Sequence, residues 1–309
     1  MKQYYRIMLG KQSAHAAECF DGGFIGADFG IHQDLTRQLP AEWREFNREF
    51  IPVYQARNPG KTRIGAGLAC AALWTIAKGV NIGDIVLCPD GQGTYRVGEV
   101  TGDYYYVPGG VLPHRRRVRW LERQVPRAAM SDALQNSSGS AGTVSNLSGY
   151  VAELDRLIGD APSRPTIVST DPDVEDAAAF AMEKHLEDFL VENWASTELG
   201  REFDIWTEDG EVKGQQFPTD TGPIDLLAVS KDRRRILVVE LKRGRASDPV
   251  VGQILRYMGY VGEVLAEDGQ RVEGAVIALE DDIKLRRALQ AISNVHFYRY
   301  KVQFSLVRS

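Results

Sequence analysis

The sequence predicts a mixed α+β protein in two parts, a small N-terminal α+β barrel followed by a C-terminal α/β domain. Three observations carry this. A chain of 309 residues is long enough for two cores. A Ser-, Gly- and Pro-rich stretch near residues 130–172 breaks the composition. The periodicity on either side of it also differs. Helices followed by short strands with Gly-rich turns precede the break, and strands mixed with helices follow it. The expected parts are residues 1–128, a linker with a short helix over 129–172, and residues 173–309.

Composition sets broad limits. Hydrophobic residues make up 43% and charged residues 26%, as in ordinary globular proteins. The net charge of −5 gives no global pull toward nucleic acid, so such a partner needs local basic patches. Cys19, Cys70 and Cys88 lack CxxC spacing and read as plain buried thiols. The start has no apolar run of signal-peptide type and no segment is apolar enough to span a bilayer, so the expected compartment is the cytoplasm.

In chain order, Tyr4 to Leu9 reads as a strand and Gln12 to Cys19 as a helix. Helices over Glu42 to Tyr54 and Ile64 to Ala77 follow, the second ending at Lys78-Gly79. Strands are expected at Asp84 to Cys88, Thr94 to Val100 and Val118 to Leu121. Tyr150 to Ile158 reads as a short helix. The second half opens with a helix from Asp173 or Glu175 to Trp194, with Met182, Leu186, Phe189 and Leu190 on one face. Strands at Phe203 to Thr207 and Val212 to Phe217 precede a hairpin of Gly222–Val229 and Ile236–Lys242. The order then runs helix Val250 to Ala266, strand Gly274 to Leu279, helix Ile283 to Ile292 and strand His296 to Val307.

The hairpin carries the chemistry. Asp225, Glu240 and Lys242 interrupt its apolar strands, and buried carboxylates need a partner or a metal. Pairing Val229 with Ile236 across the turn sets Asp225 opposite Glu240, where like charges repel. A divalent cation relieves that repulsion. Mg²⁺ or Mn²⁺ fits, because hard oxygen ligands and retained waters suit it. Lys242 projects from the same face as Glu240 and can hold an attacking water or the charge developing on a phosphate. The alternative is an inactive fold in which these carboxylates form ion pairs with Arg233, Lys242 or Arg243.

The phrases Gly222-Pro223-Ile224-Asp225, Glu240-Leu241-Lys242 and Val251-Gly252-Gln253-Ile254-Leu255-Arg256-Tyr257 resemble the PD-(D/E)xK nuclease superfamily. They are similar in particular to the catalytic domain of NucS-type endonucleases. The resemblance covers about Asp173 to Ser309 and implies a restriction-endonuclease-like fold and Mg²⁺-dependent phosphodiester hydrolysis. It implies Asp225, Glu240, the Leu241 carbonyl and, through water, Glu183 as the metal shell. Lys242 would assist the nucleophile, and Gln253 and Tyr257 would orient groups near the phosphate. Glu187, one turn after Glu183, is the alternative helix carboxylate. Gln253 and Tyr257 also suit any polar helix–sheet contact.

The N-terminal half looks like the barrel of PUA/EVE-type domains over Gly83–Cys88, Tyr95–Tyr106 and His114–Leu121. That resemblance implies a reader of modified bases. Trp43, Trp74, Tyr104, Tyr105 and Trp120 are candidates for an aromatic base slot, the alternative being simple core. Arg115, Arg116, Arg117 and Arg119, with Arg233, Arg243, Arg245 and Arg256 of the second half, are candidates for phosphate contacts. Solvated turns and strand edges are the alternative. Pro59-Gly60-Lys61-Thr62 is no P-loop, since Gln55 stands where the first Gly is required. The reading is a two-domain metal-dependent DNA endonuclease, modification-dependent and acting in restriction or defence. Mismatch or repair cleavage and non-catalytic nucleic-acid binding are the alternatives. The expected partners are DNA, plain or modified, and a second copy of the chain, since one such site cuts one strand.

Overall fold

A computed structural model describes residues 2–140, 142–159, 177–247 and 249–301, with the side chains of 177–184 and 243 outside the description. The chain is mixed α+β and divides into two units, Met1–Asp171 and Pro172–Ser309. Among the described residues no helix is long and apolar enough to cross a membrane.

The first unit contains β1 (Tyr4–Ile7), α1 (Ala16–Gly22), β2 (Phe24–Ala27), α2 (Trp43–Arg57), α3 (Arg63–Trp74), β3 (Ile85–Pro89), β4 (Thr94–Tyr106), β5 (His114–Pro126), α4 (Asp132–Ser138), β6 (Val144–Asn146) and α5 (Val151–Ile158). The strands form one sheet in the order β2-β5-β4-β3-β1-β6, in which only β1 and β3 run parallel. Among the described residues β2 and β6 do not pair, so the expected barrel is an open sheet. Thr62 caps α3 by accepting from the Gly65 N–H. After Trp74 the helix widens into one turn over Thr75–Gly79, closed by Val80 N–H to Thr75 O.

Both faces of this sheet are buried. Tyr5, Ile7, Val86 and Cys88 point to one core with Ile25, Val118 and Ile76. Their neighbours Tyr4, Ile85 and Leu87 point to the other, with Leu134, Leu147 and Leu154. That second core corrects the expected linker. Met130, α4, Leu147 and α5 cover a sheet face, and β6 adds an edge strand beside β1. The Ser/Gly segment between α4 and β6 is held by Arg6, which is fully buried on β1. Its guanidinium donates to the carbonyls of Ser140, Gly142 and Thr143 and to the hydroxyls of Ser140 and Ser145. Composition alone misleads here because backbone carbonyls, which every residue has, supply the contact.

The second unit contains α6 (Ala177–Asn193), β7 (Phe203–Ile205), β8 (Thr207–Glu208), β9 (Glu211–Val212), β10 (Gln215–Thr219), β11 (Gly222–Ser230), β12 (Arg235–Ala246), α7 (Pro249–Tyr260), β13 (Arg271–Asp281), α8 (Ile283–Gln290) and β14 (Val295–Arg299). The expected Val212–Phe217 strand splits into β9, which pairs with β8, and β10. The expected last strand, His296 to Val307, is observed as β14 ending at Arg299, and residues 302–307 lie outside the described residues. The main sheet runs β10-β11-β12-β13-β14, antiparallel as far as β12 and parallel beyond, with β7 also on β11. Leu226, Ala228, Leu237, Val239 and Leu241 face Leu186 and Leu190 of α6 and Trp194 just after it. On the opposite face α7 lies so close that a Cβ at Gly274 would meet Met258 Sδ at 2.7 Å. The sheet is therefore sandwiched, and alternation places Asp225, Glu240 and Lys242 on the α7 face.

Candidate active site

The hairpin register is the one the spacing predicts. Leu226 pairs with Val239 and Val229 with Ile236. Continuing that register by one residue sets Asp225 opposite Glu240. The main-chain ladder stops there, and the Asp225 carboxylate takes over. Its Oδ2 accepts from the Leu241 N–H at 2.8 Å. This contact fixes the carboxylate beside Glu240, and the Leu241 carbonyl, which in a strand points to the same side as its N–H, also faces β11. Glu240 is 1% exposed, and its Oε1 lies 3.3 Å from Lys242 Nζ. Lys242 is partly exposed, so its ammonium joins a buried carboxylate to solvent.

Tyr257 is buried on α7. Its hydroxyl accepts from Gln253 Nε2 at 3.4 Å and stands over Gly222, where an added Cβ would meet it at 3.0 Å. Gly222 has φ +124°, which a side chain would strain. Burial pushes the Tyr257 hydroxyl above the usual tyrosine range. The Gln253 hydrogen bond opposes that rise, and the nearby charges of Glu240 and Asp225 add to it. The structure thus brings Asp225, Glu240, Lys242, Gln253 and Tyr257 together on one face.

Glu183 lies on α6, with its side chain outside the described residues. The carboxylate that reaches this region is Glu187, 3% exposed. Gln216 Nε2 donates to Glu187 Oε2 and, at 3.2 Å, to Asp225 Oδ1. Gln215 Nε2 donates to Glu187 Oε1 at 2.7 Å and to Asp188 Oδ1 at 2.8 Å. Sequence reasoning missed both glutamines. Only the traced β10–β11 register, Gln215 with Leu226 and Phe217 with Ile224, places Gln216 opposite Asp225. Among the described residues no group of three or more His, Cys, Asp or Glu is arranged to hold a metal ion.

The arginines divide by exposure. Arg245 pairs with Glu280 at 3.6 Å, and both are exposed. Between Lys242 and Arg245 the β12–β13 register shifts by one residue. Lys242 pairs with Ala278, and Arg245 with Glu280. The bulge therefore returns Arg245 to the face that carries Glu240 and Lys242. Arg256 is exposed on α7, Arg233 occupies the hairpin turn with φ +60°, and the Arg243 side chain lies outside the described residues.

In the first unit, Arg117 and Arg119 are exposed on β5. Arg119 pairs with Glu99, and Arg117 lies 5.2 Å from the Tyr105 ring centroid. Arg115 and Arg116 are not phosphate contacts in this arrangement. Arg115 donates to the Leu112 and Val111 carbonyls and lies 3.8 Å from the Phe24 ring centroid. Arg116 is buried and donates to the carbonyls of Ile76, Ala77 and Gly102, closing the open end of the wide turn after α3.

The five aromatics do not form one slot. Trp43 stacks on Trp74 at 5.8 Å. Trp120 meets Phe20 edge-on at 4.9 Å and donates to Cys19 O. Tyr104 belongs to a buried relay. A carbonyl only accepts, so His114 Nε2–H donates to Ile31 O at 2.6 Å. The other ring nitrogen, Nδ1, then accepts from the Tyr104 hydroxyl at 2.9 Å, and that oxygen accepts from the Leu35 N–H. Burial lowers the His114 pKa from the usual histidine value.

The model of a domain of unknown function (DUF8426) matches residues 5–148, extending past the boundary expected at 128 and through β6. No curated protein matches the chain. Among solved structures, a repair endonuclease from Pyrococcus abyssi is similar at 17% identity and TM-score 0.31, over 69% of this chain and 66% of that one. EndoMS bound to double-stranded DNA is similar at 16% and 0.31, over 68% and 62%. EndoMS in its apo form is similar at 22% and 0.28, over 39% and 45%. The chain spans less than two thirds of the length of these structures. At such scores the functional reading stands on the geometry of the site.

Proposed function

We propose that this chain is a divalent-cation-dependent DNA endonuclease whose second unit cuts phosphodiester bonds. The observation that carries this is the Asp225 carboxylate anchored on the Leu241 N–H, across from buried Glu240 with Lys242 beside it. The donor set fits Mg²⁺ or Mn²⁺, since two carboxylates and one carbonyl leave positions for water and phosphate oxygens. Asp225, Glu240 and the Leu241 carbonyl would hold the ion, with Glu187 or Glu183 on its α6 side. When bound, the ion would activate a water and neutralise charge on the phosphate.

The protein's own groups have separable tasks. The Leu241 N–H fixes the rotamer of Asp225. Lys242, with its ammonium between Glu240 and solvent, holds an attacking water by hydrogen bond and offsets negative charge developing on the phosphate. Tyr257, held by Gln253, closes the side of the pocket next to Gly222. Arg233, Arg245, Arg256, Arg117 and Arg119 are exposed cations that can meet a DNA backbone. Action in the cytoplasm and as a homodimer belongs to the same proposal.

The test is cleavage of plain, mismatched and cytosine-modified DNA with Mn²⁺ by the wild-type protein and the Glu240→Gln and Lys242→Ala variants. Cleavage abolished in both variants supports the reading, and the preferred substrate then separates repair from modification-dependent restriction. Undiminished cleavage by both folded variants overturns it. DNA binding without cleavage by the wild type leaves a binding module instead.

A further inference from the structure

We propose that Gln216 is a positioning residue that sets the separation of Asp225 and Glu187 before any cation arrives; this rests on the endonuclease reading. Both N–H groups of one amide reach two carboxylates that come from different elements, β11 and α6. Gln216 stands in line with Asp225 and Glu240 across three adjacent strands, by the registers of β10 with β11 and β11 with β12. An amide that donates twice does what a small cation does between two carboxylates. It lowers their repulsion and keeps both lone-pair sets turned inward.

The backbone supplies the independent observation. Gln216 has φ +49°, in the left-handed region that non-glycine residues seldom adopt. Asn, Asp and Gly are the residues that region favours. A glutamine there works against local preference, so its value lies in its side chain. Asn carries the same amide on a stem one methylene shorter. It suits the backbone better, yet it draws the amide away from both carboxylates. The neighbouring Gln215 ties Glu187 to Asp188 and does not touch Asp225, which makes it the internal control.

The prediction is that stability and cation binding separate. Gln216→Asn and Gln216→Gly should unfold close to the wild-type midpoint without metal, because relief of the left-handed backbone offsets the lost hydrogen bonds to the two carboxylates, while Mn²⁺ affinity without DNA falls about 10- to 100-fold, the usual effect of removing a group that holds a metal ligand. The paramagnetic resonance spectrum of bound Mn²⁺ should also change. Gln215→Met, which leaves the Gln216 contacts to both carboxylates in place, should lose less Mn²⁺ affinity than either Gln216 variant.

Calorimetric titration of Mn²⁺ into the full chain, with Asp225→Asn alongside, distinguishes the failures. If the wild type shows no Asp225-dependent site, the endonuclease reading fails first. If that site exists and both Gln216 variants bind Mn²⁺ as wild type does, the positioning role is overturned. Stability and affinity falling in parallel in both variants, or an equal fall for Gln215→Met, overturns it as well, since the glutamine would then be serving the fold.

Discussion

The buried and half-buried ionisable groups of the two units have different kinds of partner. In the first unit Arg6 donates to the main-chain carbonyls of Ser140, Gly142 and Thr143, Arg116 to those of Ile76, Ala77 and Gly102, and His114 to that of Ile31. In the second unit Glu187 and Asp225 take hydrogen bonds from the side chains of Gln215 and Gln216, Glu240 lies against Lys242, and the main chain enters only as the Leu241 N–H donor to Asp225. A donor side chain bonded to several main-chain carbonyls is part of the scaffold, because removing it strands carbonyls that cannot leave. Charges bonded to other side chains on neighbouring strands form a group that can be altered without unpicking the sheet. The contrast explains why similar-looking arginine and carboxylate motifs have different meanings in the two halves.

The comparison breaks most visibly at Glu240. Glu240→Gln and Lys242→Ala should each lower DNA cleavage by at least about 10²-fold, the scale for removing one group that stabilises charge in the transition state. Their thermal midpoints should stay near that of wild type. A cleavage rate within a few-fold of wild type for either variant would mean that the carboxylate–lysine pair is scaffold after all.

Arg6→Met tests the opposite side. It leaves the carbonyls of the Ser/Gly segment without their donor and should cost about 1–3 kcal/mol, the penalty for a stranded buried polar group. Limited proteolysis should then cut within 139–145. Wild-type resistance to protease in that segment would show that the guanidinium contributes little.

A smaller, pH-dependent effect belongs to His114. Burial depresses its folded-state pKa, so the unfolded chain binds the proton more readily. That contribution to stability is complete above the unfolded value of about 6.5 and is lost as pH falls below it. Urea midpoints of the first unit should decline toward pH 5 in wild type and decline less in His114→Gln. Equal slopes for the two would remove His114 as the cause.

The smallest effect is expected at Arg119, whose ion pair with Glu99 is exposed. Arg119→Ala should cost under about 1 kcal/mol. If β5 meets DNA, combining it with Arg117→Ala should reduce the salt slope of binding by about one for each phosphate that is no longer neutralised. An unchanged slope takes β5 out of the interface.

Much of the second unit was legible from its sequence. Apolar alternation around Asp225 and Glu240 marked the strands, and turn length set the register that puts them opposite each other. The hidden part was Gln216, because a lone glutamine has no period and its left-handed backbone is invisible until the chain is traced. The first unit was less legible. Short strands suggested a barrel, yet whether β2 meets β6 depends on the path between them. Ser137 to Gly142 has a linker's composition, but a single arginine far back in the chain fixes it. Arg115 to Arg119 looked like one basic run, and strand alternation divides it into inward and outward residues.

The bulge after Lys242 has a use as a tool. Because pleats alternate strictly, a residue inserted into a strand reverses the side to which everything downstream points unless a bulge absorbs it. Removing Gly244 would take out the extra residue and the bulge together, leaving Arg245 two residues after Lys242 on the same face and still opposite Glu280. A one-residue deletion thus asks what the bulge itself contributes, with the number and the facing of the charges unchanged.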